Sequence, residues 1–404
     1  MSDRIAVTVT RQGAAGEVFR AFLKLGLTSF GGPIAHLGYF RDELVVRRRW
    51  IDEAGYADLL ALCQFLPGPA SSQAGFALGL LRGGPLGALA AFTAFTLPSA
   101  LILVLFAAGA SLFDGQVGHG ILHGLKLVAV AVVAQAVWGM ARSLCPDRSR
   151  AGIAVAAVLT VTFAAGALGQ VAAILLGGLA GLALCRHQDA APARNLAFPI
   201  SRPVGAAALA MFFLLLALLP LAAASLPFHG LALFDAFYRS GALVFGGGHV
   251  VLPLLEAEVV APGWIGADGF LAGYGAAQAV PGPLFTFAAY LGAAMEPAPN
   301  GIAGAFLCLV AIFLPGFLLL VGALPFWDAL RTRPMARAAM RGANAAVVGL
   351  LGAALYDPVW TSAVHVPEDF ALAVLGFVLL TVGKAPPWLV VGLTVLGGIL
   401  LQVI

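Results

Sequence analysis

Two short stretches carry residue types that could bind a charged ligand unaided. The first is FGGP, Phe30 to Pro33, and the second is the Pro67-Gly68-Pro69 step within QFLPGP. Each recurs further on: FGGGH supplies Gly246, Gly247, Gly248 and His249, and QAVPGP supplies Gln278, Pro281, Gly282 and Pro283. Glycine and proline interrupt a helix, and the half-helix that resumes begins with unpaired N–H groups and about +0.5 of an elementary charge. Such an end favours an anion. Gly31, Gly32, Gly246, Gly247 and Gly248 would let backbone approach it with no Cβ in the way, and Pro69 and Pro283 suit the first turn of the helix that follows. The alternative for a glycine pair is tight helix packing, in a chain with 50 glycines. Recurrence beside proline favours the site.

Full charges stand close by in sequence. Lys24 and Arg239 hold equivalent positions before the two glycine breaks, and Lys126 lies within an apolar run. A basic residue at the centre of a membrane helix costs about 2.5 to 3.5 kcal/mol and points to function, with snorkelling as the alternative. Gln64, Gln73 and Gln278 offer amide donors to an anion or bonds between helices. Asn344 lies in the segment equivalent to that of Lys126, where a polar contact between helices is the simplest role. His36 and His249 follow the breaks and could donate or titrate near neutrality, or be satisfied structurally. His119 and His123 are spaced i,i+4 with no acidic residue between them, so no zinc site is expected. No His/Asp/Glu cluster or nucleophile with its base appears, so neither enzyme nor cofactor is expected. Apart from Glu17 and Asp58, the acids fall in loops, and no carboxylate within a full span announces a proton relay.

Membrane helices must position these residues. The chain is 61% apolar and 10% charged, with mean hydropathy +0.97, whereas soluble domains carry about 25% charged residues. Residues 83–113 and 204–229 contain no Asp, Glu, Lys or Arg and exceed the roughly 20 residues a spanning helix needs. Strand alternation is absent, which excludes an outer-membrane barrel, and no removable signal peptide is evident. Cys63, Cys145, Cys185 and Cys308 lie far apart, against a disulfide framework or a CxxC metal site. The expected fold is an all-α polytopic membrane protein.

The recurring motifs belong to a long duplication. Phe22 pairs with Phe237, Trp50 with Trp264, Leu97-Pro98 with Leu314-Pro315, and His123-Gly124 with Arg341-Gly342. The expected units are an N-terminal repeat at 16–186, a cytoplasmic linker at 187–203, and a C-terminal repeat at 204–404 with its core at 233–356. Arg4, Arg11 and Arg20 precede the first break and Arg41, Arg47, Arg48 and Arg49 follow it, which places both flanks in the cytoplasm. That makes FGGP the tip of a re-entrant hairpin, with helix from Glu17 to Ser29 and again from Ile34. The segment 56–81 repeats the logic around PGP, and 151–185 reads as two short spans turning near Gly166. The loop 256–268 carries Glu256, Glu258 and Asp268 but no Lys or Arg, while the arginine-free loop at Asp114 has a counterpart with Arg331, Arg333, Arg337 and Arg341. The charge asymmetry has flipped, so the repeats are expected to be inverted. A competing reading lets every broken segment cross fully, and inversion survives if the crossings between repeats stay odd in number.

SFGGP, QFLPGP, FGGG and QAVPGP, in that order over two halves, resemble the chromate ion transporter family, and the resemblance covers nearly the whole chain as in its long, two-domain members. The resemblance implies export of chromate across the bacterial inner membrane, conferring resistance, with sulfate as a close analogue and the membrane potential or a proton gradient, as in an antiporter, as energy source. Uptake of sulfate or another anion is the alternative. Expected partners are chromate, sulfate, membrane lipid and a second copy of the chain in a homodimer, with no nucleic acid. Pro33 against Gly248, and Gln73 against Phe287, leave open whether both halves contribute equally to one site.

Overall fold

Glycine backbone sets the first break. Gly31 and Gly32 have φ of 98° and 76°, left-handed values that a β-carbon would make costly. In the computed structural model, which describes residues 15–109, 115–164, 166–185, 198, 200–245, 248–327, 329 and 333–403, every regular element is helical. Helix α1 (Ala15–Thr28) has 14 residues and rises about 21 Å, less than the ~30 Å hydrocarbon core. Helix α2 (Gly32–Phe40) resumes at the break itself, two residues before Ile34, and continues as a π-helical turn over Arg41–Arg47. The chain doubles back there: Lys24 Nζ lies 2.7 Å from a Glu43 carboxylate oxygen, and the Phe22 and Phe40 rings meet edge-on at 5.5 Å.

The second break follows the same plan. Helix α3 (Glu53–Phe65) is N-capped by Asp52, whose side chain accepts from Gly55 N, a contact that satisfies one orphan donor. After the Pro67-Gly68-Pro69 bend comes α4 (Ala70–Ala108), which leaves helical geometry at Gly83 and Gly84. A short half-helix and a crossing helix are thus joined end to end. Helices α5 (Gln116–Leu144), α6 (Arg148–Phe163) and α7 (Ala167–Leu184) complete the first repeat, with a turn at Gly166, and α8 (Arg202–Ser225) leads to the second.

That repeat comprises α9 (His229–Ala242), a 3-10 turn Gly248–Val250 running into α10 (Val251–Val259), α11 (Ala267–Ala279), and a 3-10 turn Leu284–Thr286 running into α12 (Phe287–Ala294). Helices α13 (Gly301–Ala323), α14 (Pro334–Ala354), α15 (Pro367–Thr381) and α16 (Pro387–Val403) follow. Among the described residues five helices are long and apolar enough to cross a membrane: α4, α5, α8, α13 and α14. The loops at Asp114 and Arg331, residues Arg4 and Arg11, and most of the linker lie outside the described residues.

Packing extends the duplication to α16, beyond the core at 233–356. Gly124 of α5 sits against Thr394 and Gly398 of α16, while Gly342 of α14 sits against Gly177 and Gly181 of α7. Each repeat thus hands its last helix to the other's crossing helix, across glycine contacts too close for a side chain. Gly26 of α1 lies similarly against the Ala94 and Phe95 carbonyls of α4, and Gly241 of α9 against that of Ile312 in α13.

Candidate anion site

The breaks of one repeat are tied to those of the other. Gly68 N donates to Val244 O at 2.7 Å, and Gly282 N donates to Ser29 O at 2.9 Å. Gly68 matches Gly282 and Ser29 matches Val244 in the duplication, so the two bonds are one contact made twice by exchanged partners. Each proline-flanked glycine also rests on a crossing helix beside that helix's internal proline. A Cβ on Gly68 would lie 3.0 Å from Gly316 Cα, just after Pro315, and one on Gly282 would lie 2.8 Å from Ser99 Oγ, just after Pro98. The first glycine tip faces the side chain that follows the second, since a Cβ on Gly32 would lie 3.9 Å from His249 Nε2.

Four helix beginnings therefore gather at one place: α2 at Gly32, α4 after Pro69, α10 through the turn at Gly248, and α12 through the turn after Pro283. Pro69 and Pro283 stand at the N-caps, one position before the first turn. Gly246 and Gly247 lie outside the described residues, as does the side chain of Pro33.

Polar side chains line the cluster and satisfy one another only in part. His36 is fully buried, with Nδ1 3.4 Å from Ser71 Oγ, and its Nε2 has no hydrogen-bond partner. Ser29 Oγ, Ser72 Oγ and Gln278 Nε2 are also buried without one. Gln73 is spent on the scaffold, donating from Nε2 to Pro67 O and Gly316 O at 3.0 and 2.9 Å. His249 Nδ1 meets Tyr274 Oη at 2.7 Å, which leaves Nε2 turned to Gly32. Pro283 O is taken by Thr286 Oγ1. Pro67 and Pro281 occupy the bends, and Gln64 is exposed at the end of α3. Sequence reasoning passes over Ser29, Ser72 and Tyr274; the serines flanking FGGP and PGP are the available signal.

The cations stand apart from this cluster. Lys24 pairs with Glu43, and Arg239 with Asp235 at 2.8 Å and Glu258 at 2.6 Å. Lys126 Nζ lies 2.9 Å from Asp268 at the first turn of α11. Asn344 Oδ1 is buried and unpartnered in α14, the helix that packs on α7. His123 Nε2 lies 2.6 Å from Asp369 Oδ1 of α15.

Two repeats of apolar helices, interlocked through broken segments around buried polar groups, define a polytopic membrane transporter. The chain belongs to the chromate transporter family, which it matches over residues 16–182 and 231–400, leaving α8 between the matched halves. It is 30% identical over 363 residues to the chromate transport protein of Pseudomonas aeruginosa, covering 87% of this chain and 83% of that one. It is also 29% identical to a probable chromate transport protein of Synechococcus elongatus, covering 84% and 83% of the two chains. Identity to the chromate transport protein of Cupriavidus metallidurans is 27%, over 93% and 90%. No solved structure matches the chain.

Proposed function

We propose that the crossed breaks hold chromate, and that the chain exports it from the bacterial cytoplasm across the inner membrane and so confers resistance. The observation that carries this reading is the reciprocal pair Gly68 N to Val244 O and Gly282 N to Ser29 O, which gathers four helix N-termini from two repeats. A tetrahedral dianion needs compensating potential and donors in a low-dielectric interior. Helix N-termini supply the first. Ser29, Ser72, Gln278, His36 Nε2 and His249 Nε2 supply the second. Inverted repeats that meet at one site let the same anion be offered to either face in turn. Direction follows from charge: in a cell negative inside, each charge gains about 2.3 kcal/mol per 100 mV, so a dianion is driven outward by about twice that.

Inverted membrane vesicles carrying the protein test the reading. Chromate should accumulate when the lumen is made positive, and excess sulfate should compete. Absence of flux in inverted and right-side-out vesicles alike would dispose of the proposal, and flux confined to right-side-out vesicles would favour anion uptake.

A further inference from the structure

The pair His123–Asp369 is the buried ionic contact that the site leaves unused. The two side chains are 13% and 3% exposed, inside a chain whose surroundings make an ionisable group a functional candidate. The contact joins α5 to the helix hairpin exchanged from the other repeat. Asp369 Oδ2 meanwhile accepts from the backbone N–H groups of His365 and Val366 at 3.0 and 3.2 Å, so the carboxylate is fixed at the start of α15. Imidazole is the side chain that changes charge near neutral pH.

The duplication supplies an independent observation. His123 matches Arg341, whose guanidinium donates to Cys185 O at the end of α7 at 3.0 Å. One repeat thus fixes its exchanged helix with a permanent cation. The other places, at the same position, a side chain that is charged only when protonated.

Geometry also joins the pair to the anion site. Two residues along α5, Leu125 sits where a Cβ on Gly275 of α11 would meet its Cα at 3.2 Å. The next residue back on α11 is Tyr274, bonded to His249. On α5 itself His123 is flanked by exposed His119 and by Lys126, whose charge Asp268 of α11 balances. Helix α14 brings Arg337 and Arg341, the latter directed to α7; the π-helical turn after α14 brings Asp357, bonded to Thr361; α15 adds exposed Glu368 beside Asp369; and α16 carries no titratable group.

Resting on the reading of the crossed breaks as an anion site, we infer that His123 and Asp369 form a proton-binding site whose occupancy is linked to that of the anion. With His123 neutral, the Asp369 carboxylate keeps its full negative charge, held by two backbone N–H groups, and disfavours an arriving dianion. A proton taken from water onto the imidazole cancels that charge. Linkage is reciprocal: the anion must draw a proton onto the pair, and a proton must tighten the anion.

The purified protein in weakly buffered detergent solution, given sodium chromate or sodium sulfate, tests this. Wild type should take up protons on binding, and its affinity should weaken as pH rises, by up to about tenfold per pH unit. His123→Gln should bind without proton uptake, and His123→Arg, which copies Arg341, should bind with affinity independent of pH. Proton uptake that persists in both variants, or anion binding by wild type without any uptake, overturns the inference and leaves the anion site standing. A wild type that binds neither anion removes both.

Discussion

Lys24 and Arg239, the cations that precede the glycine breaks, are each neutralised by a glutamate 19 residues on, Glu43 and Glu258. The repeated ion pair closes each hairpin at its base, about two helical turns from the tip. Burial would push the Glu43 carboxyl up, but hydrogen bonds from Lys24 and Arg48 outweigh it and hold it down to about 2. Its stabilising contribution is therefore complete above the ordinary carboxylate range and is lost as pH falls toward 2. Glu43→Gln should cost about 2 kcal/mol and lower the thermal midpoint by several degrees at pH 7, a gap that narrows on acidification. Lys24→Gln should likewise destabilise the protein while leaving chromate affinity within about threefold, the size of a peripheral charge change. A loss of binding far beyond that in folded Lys24→Gln would return Lys24 to the site. The equivalence of Lys24 and Arg239 was legible in the sequence. Their partners were not, because a pairing across a hairpin depends on where the arms touch.

At the scale of elements, glycines at the breaks are required for two separable reasons. Gly282 has φ of 104° and its missing Cβ makes room for Ser99 Oγ; a Cβ on Gly84, where φ is 63°, would meet nothing within 4 Å. Gly84 combines φ 63° with ψ −158°, a region open essentially to glycine alone, so strain without any clash there costs roughly 1 to 3 kcal/mol for another residue. Gly84→Asn should therefore lower stability by roughly 1 to 3 kcal/mol while the folded protein still transports. Gly282→Asn should abolish transport, and Gly68→Asn should do the same against Gln73 and Gly316. Chromate flux in vesicles matched for protein checks all three, and a fully active Gly282→Asn would refute the interlocked site. The breaks could be read from sequence because glycine and proline act locally on φ and on the hydrogen-bond ladder. That Gly68 would bond Val244 rather than anything in its own repeat is a long-range fact with no local signature.

For the whole molecule, duplication was legible and the manner of its assembly was not. Motif spacing revealed two repeats, and paired short helices were expected at 151–185. Their exchange between repeats escaped, because Gly124, Gly181, Gly342 and Gly398 stand in apolar runs rich in glycine, where no residue type marks a partner. His123–Asp369 escaped for a related reason, since 246 residues separate the two and Asp369 reads as a loop acid. The orientation of the repeats is the property on which alternating access depends, and it has a direct test. Val46, in the π-helical turn after α2, and Ala261, after α10, are exposed and equivalent in the duplication. Pro85 and Ala298 are exposed where the proline-flanked hairpins end. With the four native cysteines removed, single cysteines at 46 and 85 should react with a membrane-impermeant thiol reagent only in inverted vesicles, and those at 261 and 298 only in intact spheroplasts. Reaction at 46 and 261 from one side would mean that the repeats run parallel, and a dianion held between them would then lack the symmetric pair of exits that export requires. Reaction at 46 and 85 from opposite sides would instead show that the chain crosses fully between them. Because short arms of 13 or 14 residues such as α3 and α1 reach only about 20 Å, the folded-back hairpin is the arrangement expected to survive that test.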